Sequence, residues 1–481
     1  MQNLWSHTGR GIAVSALALA LTACQSMRGP EPVAQASIPS SYTAAASGTS
    51  VAEQGYKDFF ADQRLLQVLD MALNNNRDLR TATLNIQRAQ QAYQITENNQ
   101  LPTIGASGGV LRQDQGTVLG THTRYNVGLG VTAYELDFWG RVRSLKDNAL
   151  DNFLATQSSR DATQIALIGQ VAQAWLNYSF ANANLKLADQ TLKTQLESYN
   201  LNKKRFDVGI DSELPVRQAQ ISVETARNDV ANYKTQVAQA QNLLNLLVGE
   251  QVPSALLPTQ RVTHITKTTA IGAGLPSDLL NNRPDIRTAE YRLSAAGANI
   301  GAAKARLFPS ISLTGNAGYA STDLSDLFKS GSFVWAVGPS IDLPIFDWGT
   351  RQANIKISET DQQIALADYE KSIQSAFREV NDALAVRQNI GDRLAAQKRL
   401  VDATNTTYKL SNARFRAGID NYLTVLDAQR TSYAAEQGLL LLEQANLNNQ
   451  VELYKSLGGG VKANTSDATS QPASSAERKA Q

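Results

Sequence analysis

One cysteine, Cys24, is all that 481 residues contain, so no disulfide forms within the chain. Histidine is almost as scarce: His7, His122 and His264 stand apart from the cysteine and from any paired acids. Neither a histidine-based catalytic site nor a zinc site has its ligands here. Charged residues make up 18% and the net charge is +2. With no basic stripe or tail, a nucleic-acid partner is not expected. No phosphate-binding glycine loop of the Walker type appears; the "GLG" at Gly128–Gly130 lies inside an alternating run and lacks a third glycine. Past the first two dozen residues no apolar stretch reaches 18, so no transmembrane helix is expected there. Proline is absent between Trp139 and Asp207, and again between Pro344 and Pro472. Those gaps leave room for very long helices.

What is present begins with a secretory signal over residues 1–23. A positive end at Arg10 is followed by the apolar run Ile12–Leu21 and by Leu21-Thr22-Ala23-Cys24. An ordinary signal with an incidental cysteine is the plainer reading. The ending resembles the bacterial lipoprotein box, which implies an N-palmitoyl and S-diacylglycerol lipid on Cys24 as the first mature residue. Gln25 beside it, in place of Asp, implies sorting to the outer membrane. Residues 24–55 are rich in Ser, Ala and Pro and read as a lipidated, extended tether. Residues 458–481 read as a disordered tail.

Between these ends the chain repeats itself. "RFDVGID" from Arg205 returns as "RFRAGID" from Arg414 (414 − 205 = 209). "NRDLRTA" from Asn76 returns as "RPDIRTA" from Arg283 (283 − 76 = 207), and "FWGR" around Trp139 as "DWGTR" around Trp348 (348 − 139 = 209). The reading is two structural repeats, 56–250 and 277–457, separated by a proline-bearing linker over 251–276.

Each repeat has the same order of patterns. A helical run such as Leu79–Gln100 comes first. Two period-two runs follow, about 103–137 and 310–344; Tyr125, Val127, Leu129, Val131 and Ala133 alternate with Asn126, Gly128, Gly130, Thr132 and Tyr134. Alternation over about ten residues is a strand with one apolar face, and ten tilted residues cross a bilayer. Long helices are then expected at about 139–207 and 214–248, and at about 349–415 and 423–457. A helix of 65 residues would span roughly 100 Å, beyond ordinary globular helices, and points to coiled-coil packing. Gly209 and Gly418 sit where each long helix ends, the place for a left-handed residue; a plain hairpin turn accounts for them equally well.

Four membrane-length strands cannot close a barrel, because open edges would leave backbone groups unsatisfied in lipid. The chain is therefore expected to lend strands to an oligomer. Two copies give eight strands and a filled interior; three give twelve and room for a channel.

The chain resembles the TolC/OprM-type outer-membrane factors of drug efflux, in their lipidated branch. The carrying residues are the Cys24 box, "FFADQRLLQVLDMAL" (Phe59–Leu73), the block Leu275–Leu313, "LPIFDWGTR" and the turn at Asp427. The resemblance implies an α+β membrane protein built by internal duplication. Its homotrimer would form a twelve-stranded outer-membrane β-barrel continuous with a periplasmic α-helical barrel. It implies an exit duct without enzymatic activity or cofactor, gated at the periplasmic tip. Its partners would be a periplasmic membrane-fusion adaptor, an inner-membrane resistance-nodulation-division transporter and outer-membrane lipid.

The tip residues follow from that picture. Three copies of Asp427 would ring one axis, and like charges at close range favour opening unless paired. An ion-pair lock of Asp427 with Arg430 and Arg416 is expected, with Tyr422 and Leu423 narrowing the pore. Thr424 stands where the family carries a second acid, so one acidic ring is expected rather than two. An exposed surface pair between Asp427 and Arg430 is the bland alternative. The turns Val208-Gly209-Ile210 and Ala417-Gly418-Ile419 resemble the family's adaptor-docking grooves. A duct for protein secretion or metal efflux is the nearest alternative function. A coiled-coil surface lipoprotein with no channel is the alternative of another class, and it leaves the paired amphipathic strands unexplained. The Trp-Gly turns at Trp139 and Trp348 read as structural or interfacial in preference to carbohydrate-stacking.

Overall fold

The computed structural model describes residues 27–35, 42, 49–50, 54–114, 121–267, 271–272 and 278–461. The signal, Cys24 and the chain beyond 461 lie outside the described residues. The chain divides into two compact units, and the division does not follow the repeats. One unit joins Leu84–Gln157, Thr288–Lys371 and residues 27–35; the other joins 54–83, Ser158–Arg287 and 372–461. Each unit thus takes matching parts of both repeats. Elements of the two repeats meet within each unit: strands of both share one sheet, and Tyr433 of the second repeat bonds to Asp229 of the first.

The first unit holds an antiparallel four-stranded sheet in chain order: β1 (Ile104–Asp114), β2 (Thr121–Glu135), β3 (Ser310–Ser321) and β4 (Phe333–Asp342). The central pairing, β2 with β3, joins the repeats. Register aligns Ala106, Leu129, Ala317 and Trp335 across the sheet, and next to them Gly108, Val127, Tyr319 and Phe333. These rows form one continuous apolar face, since residues directly opposite share a face. The other face carries Ser107, Gly128, Gly318 and Val334, then Gly105, Gly130, Asn316 and Ala336. Leu129, Phe333 and Trp335 are exposed in the protomer. The expected alternation breaks once: an extra residue in β2 between Val131 and Tyr134 shifts the register, with Ala133 left-handed at φ 50°. This is a β-bulge, and it moves Ala133 off the face that strict alternation assigns it. β1 and β4 are the edges: among the described residues β1 pairs with β2 alone and β4 with β3 alone.

Helices complete the chain: α1 (Tyr56–Phe59), α2 (Gln63–Asn75), α3 (Arg77–Asn98), α4 (Arg141–Asp207), α5 (Glu213–Val248), α6 (Asp278–Asn282), α7 (Pro284–Ala305), α8 (Thr350–Arg416) and α9 (Tyr422–Ser456). α4 and α8 have 67 residues each. The matching lengths, and the placement of proline only at helix starts (Pro284, and Pro215 in the first turn of α5), follow from the cost of an interior proline. Among the described residues no helix is long and apolar enough to cross a membrane.

The core of the second unit gathers Phe59, Phe60, Leu65, Leu69, Ile168, Trp175, Leu176, Leu244, Ile265 and Tyr454, all fully buried. Phe59 stacks on Tyr454 at 4.0 Å. Two readings of the sequence change here. The linker is packed where it is described: Val252, Leu257 and Ile265 are buried, and the Trp175 indole donates to the Leu256 carbonyl at 3.1 Å. An apolar residue every few positions gave it a core face that the prolines obscured. The tail begins ordered, too. Gly458–Gly460 are buried, and the Gln164 amide donates to the carbonyls of Gly460 (2.9 Å) and Val461 (2.7 Å).

The duplication persists at single contacts. Gly249 (φ 83°) ends α5 with its Cα against Asn75, where a Cβ would lie 2.4 Å from the carbonyl oxygen. Gly458 (φ 84°) repeats this after α9 against Asn282, at 2.5 Å. Beside these turns Asn76 donates to the Leu247 carbonyl, and its counterpart Arg283 donates to Ser456 while pairing with Asp285 and Glu379.

Candidate functional site: the twin helical turns

Both repeats end their long helix in the same turn, within the second unit. After α4, the Gly209 amide donates to Phe206 and the Ile210 amide to Arg205, both at 2.9 Å. After α8, the Gly418 amide donates to Phe415 and the Ile419 amide to Arg414, again at 2.9 Å. The glycines have φ of 77° and 75°. This is a Schellman end, in which a left-handed glycine turns the chain back on its last free carbonyls. Nothing lies within 4 Å of a Cβ built on either glycine, so both turns face open space in the protomer. Val208, Ile210 and Ile419 are exposed apolar side chains, and Ala417 is exposed as well. The six residues expected to dock an adaptor are thus two matched, accessible turns.

Each turn is closed by an ion pair. Arg205 donates to Asp211 at 2.5 Å, and Arg414 holds Asp420 through two bonds of 2.7 and 2.9 Å. The Arg414 hydrogen bond keeps the Asp420 carboxyl below the ordinary aspartate range. Sequence reasoning passed over these four residues, although the first Arg and last Asp of the repeated motif are the signal. Arg205 also reaches the second turn, its guanidinium carbon 5.3 Å from the centre of the Phe415 ring. Phe415 packs on Tyr422 at 5.6 Å, in a cluster with Ala219, Val425 and Leu426.

That cluster revises the gate residues. Tyr422 is 3% exposed, and burial pushes its hydroxyl pKa up to about 12. It is a core residue of the protomer and does not line an open surface. It packs because the first residue of α9 lands on the end of α8. Leu423, Thr424, Asp427 and Arg430 are exposed, spaced to share one face of α9. The expected pairs of Asp427 with Arg430 and Arg416 are not formed among the described residues of the protomer. The arginine that finds a carboxylate at this turn is Arg414, which pairs with Asp420. Asn421 caps α9 by accepting from the Thr424 amide at 3.1 Å.

Further along, α5 and α9 are joined side by side. Tyr433 donates to Asp229 at 3.3 Å, and Gln437 donates to the Tyr233 hydroxyl at 2.8 Å. Burial first, then Asp229, raises the Tyr433 pKa.

The profile of the outer membrane efflux protein family matches residues 68–250 and 275–459, which includes both turns and the sheet. The chain belongs to this family. It is 44% identical over 428 residues to the probable efflux pump outer membrane protein TtgC of Pseudomonas putida, covering 88% of each chain. It is 38% identical over 455 residues to the cation efflux system protein CusC of Escherichia coli, covering 92% of this chain and 97% of that one. The open-state MtrE outer membrane channel of Neisseria gonorrhoeae superposes with a TM-score of 0.84 at 38% identity, over 92% of this chain and all of that one. The two family segments start and stop close to the two repeats, so the duplication is a property of the family's own fold. The chain is an outer-membrane component of an efflux system of a Gram-negative bacterium.

Proposed function

We propose that three copies of this chain form the exit duct of a tripartite efflux pump. The observation that carries this is the sheet: four strands of 10 to 15 residues, one continuous apolar face and two unpaired edges. In lipid such edges must be paired, and strands of a neighbouring copy supply the partners. Three copies give twelve strands and a water-filled interior lined by the small and polar face. The long helices supply a periplasmic duct, and the family and its relatives' names support this reading.

The twin turns are the docking points for a periplasmic adaptor hairpin, two per protomer and six per trimer. An inner-membrane transporter of the resistance-nodulation-division type energises the pump. Asp427 forms an acidic ring at the tip, with its partner supplied by a neighbouring copy. A lipid on Cys24 anchors the mature chain. The duct does no chemistry and needs no cofactor. Organic solutes are the cargo class, given that the more similar relatives are named for toluene, solvent and antibiotic efflux. CusC, at 38% identity, is named for cations, which keeps metal efflux as the second reading. Purified protein added to a planar bilayer tests the duct: discrete conductance steps are expected. Stable insertion with no current above the bare bilayer would leave the surface-lipoprotein reading in its place.

A further inference from the structure

The stretch read as a loose tether is docked over residues 27–35. Arg28 donates to the Ser294 carbonyl at 2.9 Å and to the Ser294 hydroxyl at 2.6 Å. That hydroxyl donates in turn to Asp151 at 2.5 Å, and the Arg28 guanidinium lies 3.7 Å from the same carboxylate. Asp151 is 2% exposed. Farther on, the Gln35 backbone N–H donates to the Glu370 carboxylate at 2.7 Å. All of these residues belong to the first unit.

The surface under the segment is shaped for it. Ser294, Gly297 and Gly301 lie three and four residues apart on one face of α7. A Cβ on Gly301 would stand 3.1 Å from the Arg28 nitrogen and 2.8 Å from the Ser144 hydroxyl. One on Gly297 would stand 3.1 Å from the Gln362 side-chain amide and 3.5 Å from Arg28 Nε, and one on Gly29 3.4 Å from Ile300. Glycine within a helix costs about 1 kcal/mol against alanine, so two of them need a reason. The first repeat has no such groove. α3 matches α7 at 284 − 77 = 207, and the counterparts of Ser294, Gly297 and Gly301 are Gln87, Gln90 and Gln94. Asp151 has Thr360 as its counterpart (360 − 151 = 209). A duplicated chain has one N-terminal segment, and only one of its two matching helices has made room for it.

We propose that α7, with Asp151 of α4, is a receptor groove for the chain's own N-terminal segment. Arg28 is its key, and the segment acts as a strap joining α4 of the first repeat to α7 of the second. The strap fixes where the described chain starts, and four extended residues before it span at most about 14 Å.

Limited trypsinolysis of the folded, detergent-extracted protein tests this, because Arg28 is the one Lys or Arg between Cys24 and Lys57. Mass spectrometry of the released N-terminal fragment reads cleavage at Arg28–Gly29. Protection is expected in the native protein, with cleavage at least about tenfold faster in Asp151→Asn, which removes the charge that Arg28 faces. Gly301→Gln is the second variant. It writes the first repeat's residue into the groove and should expose the same bond; because its side chain also meets Ser144, circular dichroism first establishes that the variant is folded. Native cleavage as fast as in both variants, or full protection in a folded Gly301→Gln protein, overturns the proposal.

Discussion

Arg414 grips Asp420 across the Gly418 turn with two hydrogen bonds, and Arg205 grips Asp211 across the Gly209 turn with one. The pairs are 209 residues apart at both members (414 − 205 and 420 − 211). The repeated motif therefore conserves a closed turn within the molecule, not just a glycine.

The pH response of the second turn follows from its sign. Asp420 has its carboxyl pKa lowered by Arg414, so its contribution is present above the ordinary aspartate pKa of about 3.9 and fades only as pH falls through the lower folded value. The turn should keep its conformation from pH 8 down to pH 5. Amide hydrogen exchange at Ile419 checks this: protection unchanged across that range is expected, and loss between pH 6 and 5 would contradict it.

The glycines at the turns and the glycines in the sheet answer to different constraints. Gly418→Ala meets no atom but must hold φ near 75°, at about 1 kcal/mol, so a small loss of stability with an assembled protein is expected. Gly318→Ala puts a Cβ 2.3 Å from the Val127 carbonyl, between the two central strands. Backbone must move there, at about 1–3 kcal/mol, and heat-resistant oligomer on SDS gels should fall sharply. Gly338→Ala, with nothing within 4 Å, is the matched control and should assemble normally.

Asp427 is exposed on α9, and no ion pair to it forms among the described residues. Asp427→Ala should raise the closed-state bilayer current several-fold if the ring holds the tip shut through neighbouring copies. Current equal to the native protein's would remove Asp427 from the gate.

Docking at the turns is tested by cross-linking. Cysteines in place of Val208 and Ala417, both exposed beside the left-handed glycines, should bridge to a cysteine-bearing adaptor hairpin. No bridge at either position, with the oligomer intact, contradicts the docking role.

Much of the architecture was legible because it is periodic. The run Tyr125–Tyr134 alternates, and it lies in β2; the proline-free stretch from Trp139 to Asp207 is α4 apart from its first two residues. Contacts between distant segments left no such trace. Nothing in "FDVGIDSEL" announces that Arg205 reaches Phe415, nor does "SMRG" announce that Arg28 meets Ser294. Tyr422 is expected to narrow the pore, whereas its ring is held by Phe415 from the other side of that turn. Asp427 drew the eye as an unmatched charge, while the arginines and aspartates that do pair were hidden by being the same in both repeats.

The central claim is that the two sheet edges close on neighbouring copies, three to a ring. Ser107→Cys on β1 and Ala336→Cys on β4 put one thiol on each edge, both on the small and polar face. Treating the membrane-embedded double variant with a short bis-maleimide and resolving the products by denaturing gel measures that closure directly. Dimer and trimer bands with nothing larger, and no ladder from either single variant, are expected. Products that stop at the monomer or dimer, or that run on past the trimer, would contradict it.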